Sequence, residues 1–256
     1  MKKSNRAAGT LSIILTALCV APFLYIFFKS FRSGEGVTLQ YYYQVFLGES
    51  QYLLRFWRSL GLSLVIAAGQ VVVSLLAGYG FAKCRFPGRN ILFFLLMVLM
   101  IMPLQVTLVP NYIMLEEMGL LDTYYALALP AIFVPLGTFI MANSFKSVSN
   151  DIIEAARLDG CGTFGIILRI AAPMNKSALV CTLLLSFLDG WNMVEQPMVY
   201  LKDFADFPIA VGLASVPPED PTVQLVCCIL VMLPPLFLFS YYNRELVEGI
   251  AIGGEK

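Results

Sequence analysis

The stretch Ser59-Leu-Gly-Leu-Ser-Leu-Val-Ile-Ala-Ala-Gly-Gln-Val-Val-Val-Ser-Leu-Leu-Ala-Gly-Tyr-Gly-Phe-Ala82 runs for 24 residues without a charge. A bilayer's hydrocarbon core needs about 20 consecutive apolar residues of helix to cross it, so this segment reads as a crossing helix. Four more charge-free runs flank it, 7–28, 90–115, 123–145 and 221–243, of 22, 26, 23 and 23 residues. A sixth stretch, 177–201, qualifies despite two acids, Asp189 and Glu195. The expected fold is therefore all-α and membrane-embedded, with six transmembrane helices. The composition agrees: 59% of the 256 residues are hydrophobic, 13% are charged, and the mean hydropathy is +0.78, whereas soluble domains carry about a quarter charged residues.

This composition excludes several functions. The formal net charge is zero and no long basic run exists, which argues against nucleic-acid binding, an affinity built on neutralising phosphates. With no histidine at all, catalytic triads, HExxH sites and most zinc sites cannot be assembled, so no catalytic or metal-ligating residue is expected. The six cysteines include no CxxC pair and read as reduced, structural thiols. Lys2, Lys3 and Arg6 precede the first apolar run, but at 22 residues it exceeds the roughly 7–15 of a secretory signal core. It is expected to stay as an anchor.

Basic residues near helix ends resist translocation. With the N-terminus inside, twelve of the seventeen Lys and Arg fall on inner segments and five on outer ones, so an N-in, C-in topology is expected. The first outer segment, 29–58, runs against the trend with Lys29, Arg32, Arg55 and Arg58.

Several spans carry groups that lipid penalises. Ser63, Ala67, Gln70, Ser74 and Gly78 recur at spacings of 4, 3, 4 and 4, a small and polar stripe on one helical face. Either close helix packing or a wet pathway that includes Gln70 accounts for it. Pro103 and Pro110, then Pro130 and Pro135, imply kinked helices whose freed carbonyls must face protein or water. In the fifth span Asp189 falls near the middle, where a carboxylate costs about 2.5 kcal/mol or more against lipid. Read as one continuous helix, Asp189, Asn192 and Gln196 share a face beside Trp191. That patch suits a hydroxyl-rich solute; the alternative is a buried interhelical tie.

The inner loop Ser147-Val-Ser-Asn-Asp-Ile-Ile-Glu-Ala-Ala-Arg-Leu-Asp-Gly160 carries a full set of helix signals. Asp151 and Glu154 have capping-box spacing, and Gly160 stands at a stop position. Ile152, Ala155, Ala156 and Asp159 would share one side, a small apolar face that either meets a partner or lies back on the bundle.

Glu154-Ala155-Ala156, Gly160, Ile170 and Pro173 together resemble the EAA signature of permease subunits in binding-protein-dependent ABC importers, E-A-A-x3-G-x9-I-x-L-P, with Ala172 in place of Leu. Phe81-Ala-Lys-Cys-Arg-Phe-Pro-Gly-Arg89, Met102-Pro103 with Pro110, Gly119-Leu-Leu-Asp-Thr-Tyr124, and Trp191-Asn192 with Pro197 extend the likeness over about residues 57–250. It looks like the carbohydrate-uptake branch typified by maltose permeases. Met193, Val194 and Glu195 depart from the family's usual residues, and 1–56 matches only as one span and a loop.

The resemblance implies a type I importer permease fold in a bacterial cytoplasmic membrane, with residues 57–250 as the transmembrane domain, an EAA loop at about 147–175, and 251–256 as a tail. The implied partners are a second homologous permease subunit, two ATPase subunits and an extracytoplasmic sugar-binding protein. Glu154, Ala155, Ala156, Asp159 and Gly160 would couple to an ATPase, and Asp189, Trp191, Asn192, Gln196 and Gln70 would line the solute pathway. The chain has no Gly-Lys dipeptide, hence no phosphate-cradling GxxxxGK[ST] loop, so ATP and Mg would be held by the partner ATPase. The rival class is a stand-alone secondary transporter or channel using Asp189 and Glu195 as ion sites.

The topology has a direct test. In a background without the native cysteines, an impermeant thiol reagent on intact cells should modify Asp206→Cys and spare Asn150→Cys; the reverse pattern would overturn the orientation.

Overall fold

The computed structural model describes residues 2–33, 36–43, 45–46, 50–213 and 221–254. Lys256, which entered the charge count, lies outside the described residues, as do Glu35, Glu49, Glu219, Asp220 and the last part of the 251–256 tail. The chain runs through α1 (Lys2–Ser30), a two-residue antiparallel pairing of Arg32–Ser33 with Gly36–Val37, α2 (Gln40–Tyr43), α3 (Ser50–Lys83), α4 (Arg89–Ile101) and α5 (Leu104–Glu117). There follow α6 (Tyr124–Ile132), α7 (Pro135–Lys146), α8 (Asn150–Leu158), α9 (Thr163–Ile166), a π-turn at Ile167–Ala171 and α10 (Ala172–Met174). The last elements are α11 (Lys176–Trp191), α12 (Glu195–Tyr200), a 3-10 turn at Phe204–Asp206, α13 (Ile209–Leu213) and α14 (Pro221–Gly254).

Among the described residues, four stretches are long and apolar enough to cross a membrane: Ser12–Ser30, Tyr52–Lys83, Tyr124–Lys146 and Pro221–Val247. Two bent pairs bring the number to six if each counts as one span: α4 with α5, turned by 106°, and Thr163–Met174 with α11, turned by 89°. Proline explains the first bend, since Met102 and Pro103 are both extended and Pro103 cannot donate to the preceding turn. Pro135 likewise opens α7 after the break at Phe133–Val134. The fifth span departs from expectation. Instead of one helix over 177–201, α11 stops at Trp191 and α12 restarts at Glu195, so its 16 residues reach only about 24 Å.

At the centre lies α3, packed against α7 and α11. Its small and polar stripe is consumed by these neighbours: Ser63, Ala67, Gln70, Ser74 and Gly78 are all buried. A Cβ on Gly137 of α7 would sit 2.3 Å from Ser74 Oγ of α3 and 2.8 Å from Thr182 Cγ2 of α11. Three helices therefore cross where only glycine fits, which resolves the stripe as packing. Ser63 Oγ donates to Ser59 O at 2.8 Å and Thr182 Oγ1 to Ala178 O at 2.9 Å within their own helices, whereas Ser74 Oγ, at the crossing itself, is buried without a hydrogen-bond partner.

Charged residues tie down both ends of the bundle. At one end Lys83 Nζ of α3 donates to Val148 O and to Asn150 Oδ1, the latter at 3.1 Å. Nearby in sequence to this inner loop, Lys176 pairs with Glu245 at 3.3 Å. At the other end Arg58 pairs with Asp206 at 2.8 Å, Tyr124 Oη donates to Asp206 O at 2.9 Å, and Arg55 Nη2 donates to Phe204 O at 3.0 Å. Arg55 and Arg58, two of the four charges that ran against the trend, thus lie at the end of α3 opposite Lys83.

Gly137→Ala should overpack the three-helix crossing and destabilise by about 1–3 kcal/mol, seen as a lower unfolding temperature in detergent. Gly80→Ala, whose added Cβ meets nothing within 4 Å, should be neutral or stabilising.

Candidate functional site

Two regions carry the residues singled out from sequence: the inner loop around α8, and the break between α11 and α12.

Helix α8 begins two residues earlier than the expected capping box. Ser149 is the N-cap, its Oγ accepting from Asp151 N at 3.1 Å, which leaves Asp151 as the first-turn acid. Glu154 lies past that turn and is exposed, so it does not cap the helix. The stop is as expected. Gly160 has φ +81°, Cys161 N donates to Ala156 O at 2.9 Å and Gly160 N to Arg157 O at 3.0 Å, the paired bonds of a Schellman ending.

The expected apolar face of α8 is divided. Ala156 turns inward with Ile153, both buried among Val148, Phe145, Ile166 and Ile167 of the bundle's inner end. Ile152, Ala155 and Asp159 stay outside together with Leu158, which is 89% exposed. The helix thus lies back on the bundle through one side and presents an uncovered apolar strip on the other. Leu158 was not singled out from the sequence, although its spacing from Ala155 and Ile152 places it on that strip. Ala172, standing where the signature has Leu, is buried in the same inner core.

At the second region the helix break replaces the expected continuous face. Asp189 is exposed in the last turn of α11. Asn192 is the C-cap, exposed, with Nδ2 donating back to Leu188 O at 3.0 Å. Gln196 is half-buried on α12, so the three side chains no longer share one helical surface. Glu195, at the start of α12, accepts from Gln105 Nε2 at 3.0 and 3.1 Å on its two oxygens. Gln105 follows the Pro103 bend, so the beginnings of α5 and α12 are tied together. Pairing a residue with one 90 positions away leaves no local signal.

Two expected pathway residues sit inside the subunit instead. Gln70 is 4% exposed and its Nε2 donates to Val134 O at 3.1 Å, at the α6–α7 break. Trp191 is 1% exposed; it stacks on Phe187 at 5.8 Å, meets Phe56 edge-on at 5.5 Å, and donates Nε1–H to Val231 O at 3.0 Å. Both donate to backbone carbonyls of other elements. Beside Trp191 and Asn192 opens a groove of about 290 Å³, walled by Val231, Met232, Pro235, Leu236 and Phe239 of α14. Among the described residues no group of His, Cys, Asp or Glu could hold a metal ion. Exposed carboxylates and amides at bent helices can exchange hydrogen bonds with hydroxyls.

A bundle of bent apolar helices with a capped surface helix on one end is the architecture of a membrane permease. Residues 70–244 match the model of the binding-protein-dependent transport system inner membrane component, and the chain belongs to that family. It is 31% identical over 215 residues to the arabinooligosaccharides transport system permease protein AraQ of Bacillus subtilis (strain 168), covering 83% of this chain and 76% of that one. Protein LplC of the same organism is 29% identical over 270 residues, 94% of this chain and 90% of its own. The fold is shared with a chain from the crystal structure of a bacterial ABC transporter involved in the import of the acidic polysaccharide alginate, with a TM-score of 0.78, 23% identity, and 95% and 96% of the two chains covered.

Because nothing lies within 4 Å of a Cβ built on Gly160, substitution there tests backbone conformation without a clash. Gly160→Val should strain the positive φ by about 1–2 kcal/mol and open the end of α8. Tryptic cleavage after Arg157 in the solubilised protein should then speed up by about fivefold or more. Gly160→Asn, tolerant of this conformation, should stay near wild type.

Proposed function

We propose that this chain is the permease subunit of an ATP-driven importer that carries a sugar or oligosaccharide across a bacterial cytoplasmic membrane. The observation that carries the reading is α8: a well-capped helix anchored by Ile153 and Ala156, with Ile152, Ala155 and Leu158 uncovered. An exposed apolar strip on a fixed helix suits insertion into the cleft of an ATPase subunit, and the EAA residues Glu154, Ala155, Ala156, Asp159 and Gly160 lie on it or end it. Small Ala155 allows close approach, and Gly160 lets the chain turn away. ATP and Mg are then held by two partner ATPase subunits, and this chain performs no chemistry of its own. A second homologous permease completes the pathway, and an extracytoplasmic binding protein supplies the solute.

Within this reading residues 57–250 form the transmembrane domain, and 1–56 add a first span and outer loop. The solute is met by Asp189, Asn192 and Gln196 around the α11–α12 break, joined by Glu195 and its partner Gln105. Carboxylates and amides pair with sugar hydroxyls as acceptors and donors. Trp191 and Gln70 contribute from behind, by holding the backbone. The sugar class follows from AraQ, whose name specifies arabinooligosaccharides.

The test is assembly and transport together. An affinity-tagged chain should co-purify with an ATPase, and vesicles containing the full complex should take up labelled arabinooligosaccharide only with ATP inside the compartment that holds α8. Asn192→Leu should lower uptake while leaving assembly and basal ATP hydrolysis near wild type. Transport independent of ATP would overturn the importer reading; undiminished transport by Asn192→Leu would remove that residue from the path.

A further inference from the structure

In an α-helix the carbonyl of residue i is satisfied by the N–H of residue i+4. For Val231 that residue is Pro235, which has no N–H. The backbone of α14 is nonetheless helical through Pro234 and Pro235, its one non-helical residue being Tyr242. The Val231 carbonyl therefore points along the helix towards a donor that the sequence omits, and it receives one from another helix: the indole Nε1–H of Trp191, at 3.0 Å.

Trp191 is also the last residue of α11. Its ring is held on two sides by Phe187 and Phe56, and the next residue, Asn192, is exposed at the helix break and lines the groove against α14. One side chain thus joins three things: the end of α11, the unpaired carbonyl of a double-proline helix, and the placement of a solute-facing amide. We propose that Trp191 is a positioning residue for transport, whose bond to Val231 O couples movement of the proline segment of α14 to the α11–α12 break and so to Asn192. This rests on the reading that Asn192 lines the pathway.

The sequence offers its own complementation test. Trp191→Phe keeps an aromatic ring against Phe187 and Phe56 but removes the only polar hydrogen. Pro235→Ala restores an N–H at the position that a helical backbone aims at Val231 O. If the bond is what matters, the second change compensates for the first. If only ring volume matters, it does not, since both variants lack the same indole atoms.

The readout is ATP-driven accessibility, measured with the complete complex of this chain and its ATPase subunits in liposomes. In a background without the native cysteines, Asn192→Cys is modified by an impermeant methanethiosulfonate reagent, with and without ATP–Mg. With Trp191 present, ATP should change the modification rate; a buried carbonyl left unpaired shifts an equilibrium by about fivefold or more. Trp191→Phe should abolish that ATP response while complex yield stays within about twofold, and Trp191→Phe with Pro235→Ala should recover it. A full ATP response in Trp191→Phe, or no recovery in the double variant, overturns the proposal. An Asn192→Cys that resists the reagent in every state, with Trp191 intact, overturns instead the pathway reading on which it rests.

Discussion

Hydrocarbon offers a backbone carbonyl nothing to bond with, so each place where a helix bends or breaks inside a membrane must be closed by a side chain from elsewhere. This chain bends its helices often, at Pro103, Pro135 and after Trp191. Donors from neighbouring helices reach backbone carbonyls at or near several of these places. Gln70 reaches Val134 O, Trp191 reaches Val231 O, and Tyr200 Oη reaches Leu108 O at 3.2 Å. Tyr52 Oη donates to Cys227 O at 2.7 Å, tying α3 to α14. These bonds fix the bends in space, and the bends in turn set where Asp189, Asn192, Glu195 and Gln105 emerge. The polar groups at the α11–α12 break are therefore held by polar groups of the interior.

The outer end is organised around a second exchange. Asp122, with φ 62°, donates its N–H to Tyr200 O at 2.9 Å and accepts from Lys202 N through its carboxylate at 2.8 Å. The Gly119–Tyr124 turn is thereby locked to the chain leaving α12. Arg58 adds a pair to Asp206, but both side chains are more than a third exposed, and such pairs contribute at most about 1 kcal/mol. Their value is geometric: α3, the 119–124 turn and the 202–206 segment meet at one corner. Ile209 N donates to Ser59 Oγ at 2.7 Å and closes it.

Much of this was legible in the residues. Charge-free runs located the apolar helices, prolines located two of the bends, and Gly160 located the end of α8 with its left-handed backbone. Other features were hidden for identifiable reasons. Hydropathy cannot tell a break in 177–201 from a polar patch on a continuous helix, because Asp189, Asn192, Glu195 and Gln196 lower the apolar character there in either case. Periodicity places Gln70 on a polar stripe but does not say whether that stripe faces water or another helix; the burial of Gly137 against Ser74 decides it. The N-cap slipped from Asp151 to Ser149 because both residue types cap well and the choice depends on Lys83 fixing Val148 and Asn150. The Gln105–Glu195 pair depends on a 106° bend that composition does not encode.

One contact bears on how the molecule is made. Within the Ser12–Ser30 span only Ser30, at its end, is buried in the subunit, and the helix's main neighbour is α14, the last described helix. During synthesis α1 enters the bilayer early and must remain there, surrounded by lipid, until α14 follows it. The core clusters of the bundle contain no residue of α1, so the packing of that core does not depend on when α1 meets α14. A helix in that position borders the core rather than building it, and it lies, with the first part of α3, ahead of residue 70, where the family's matched region begins.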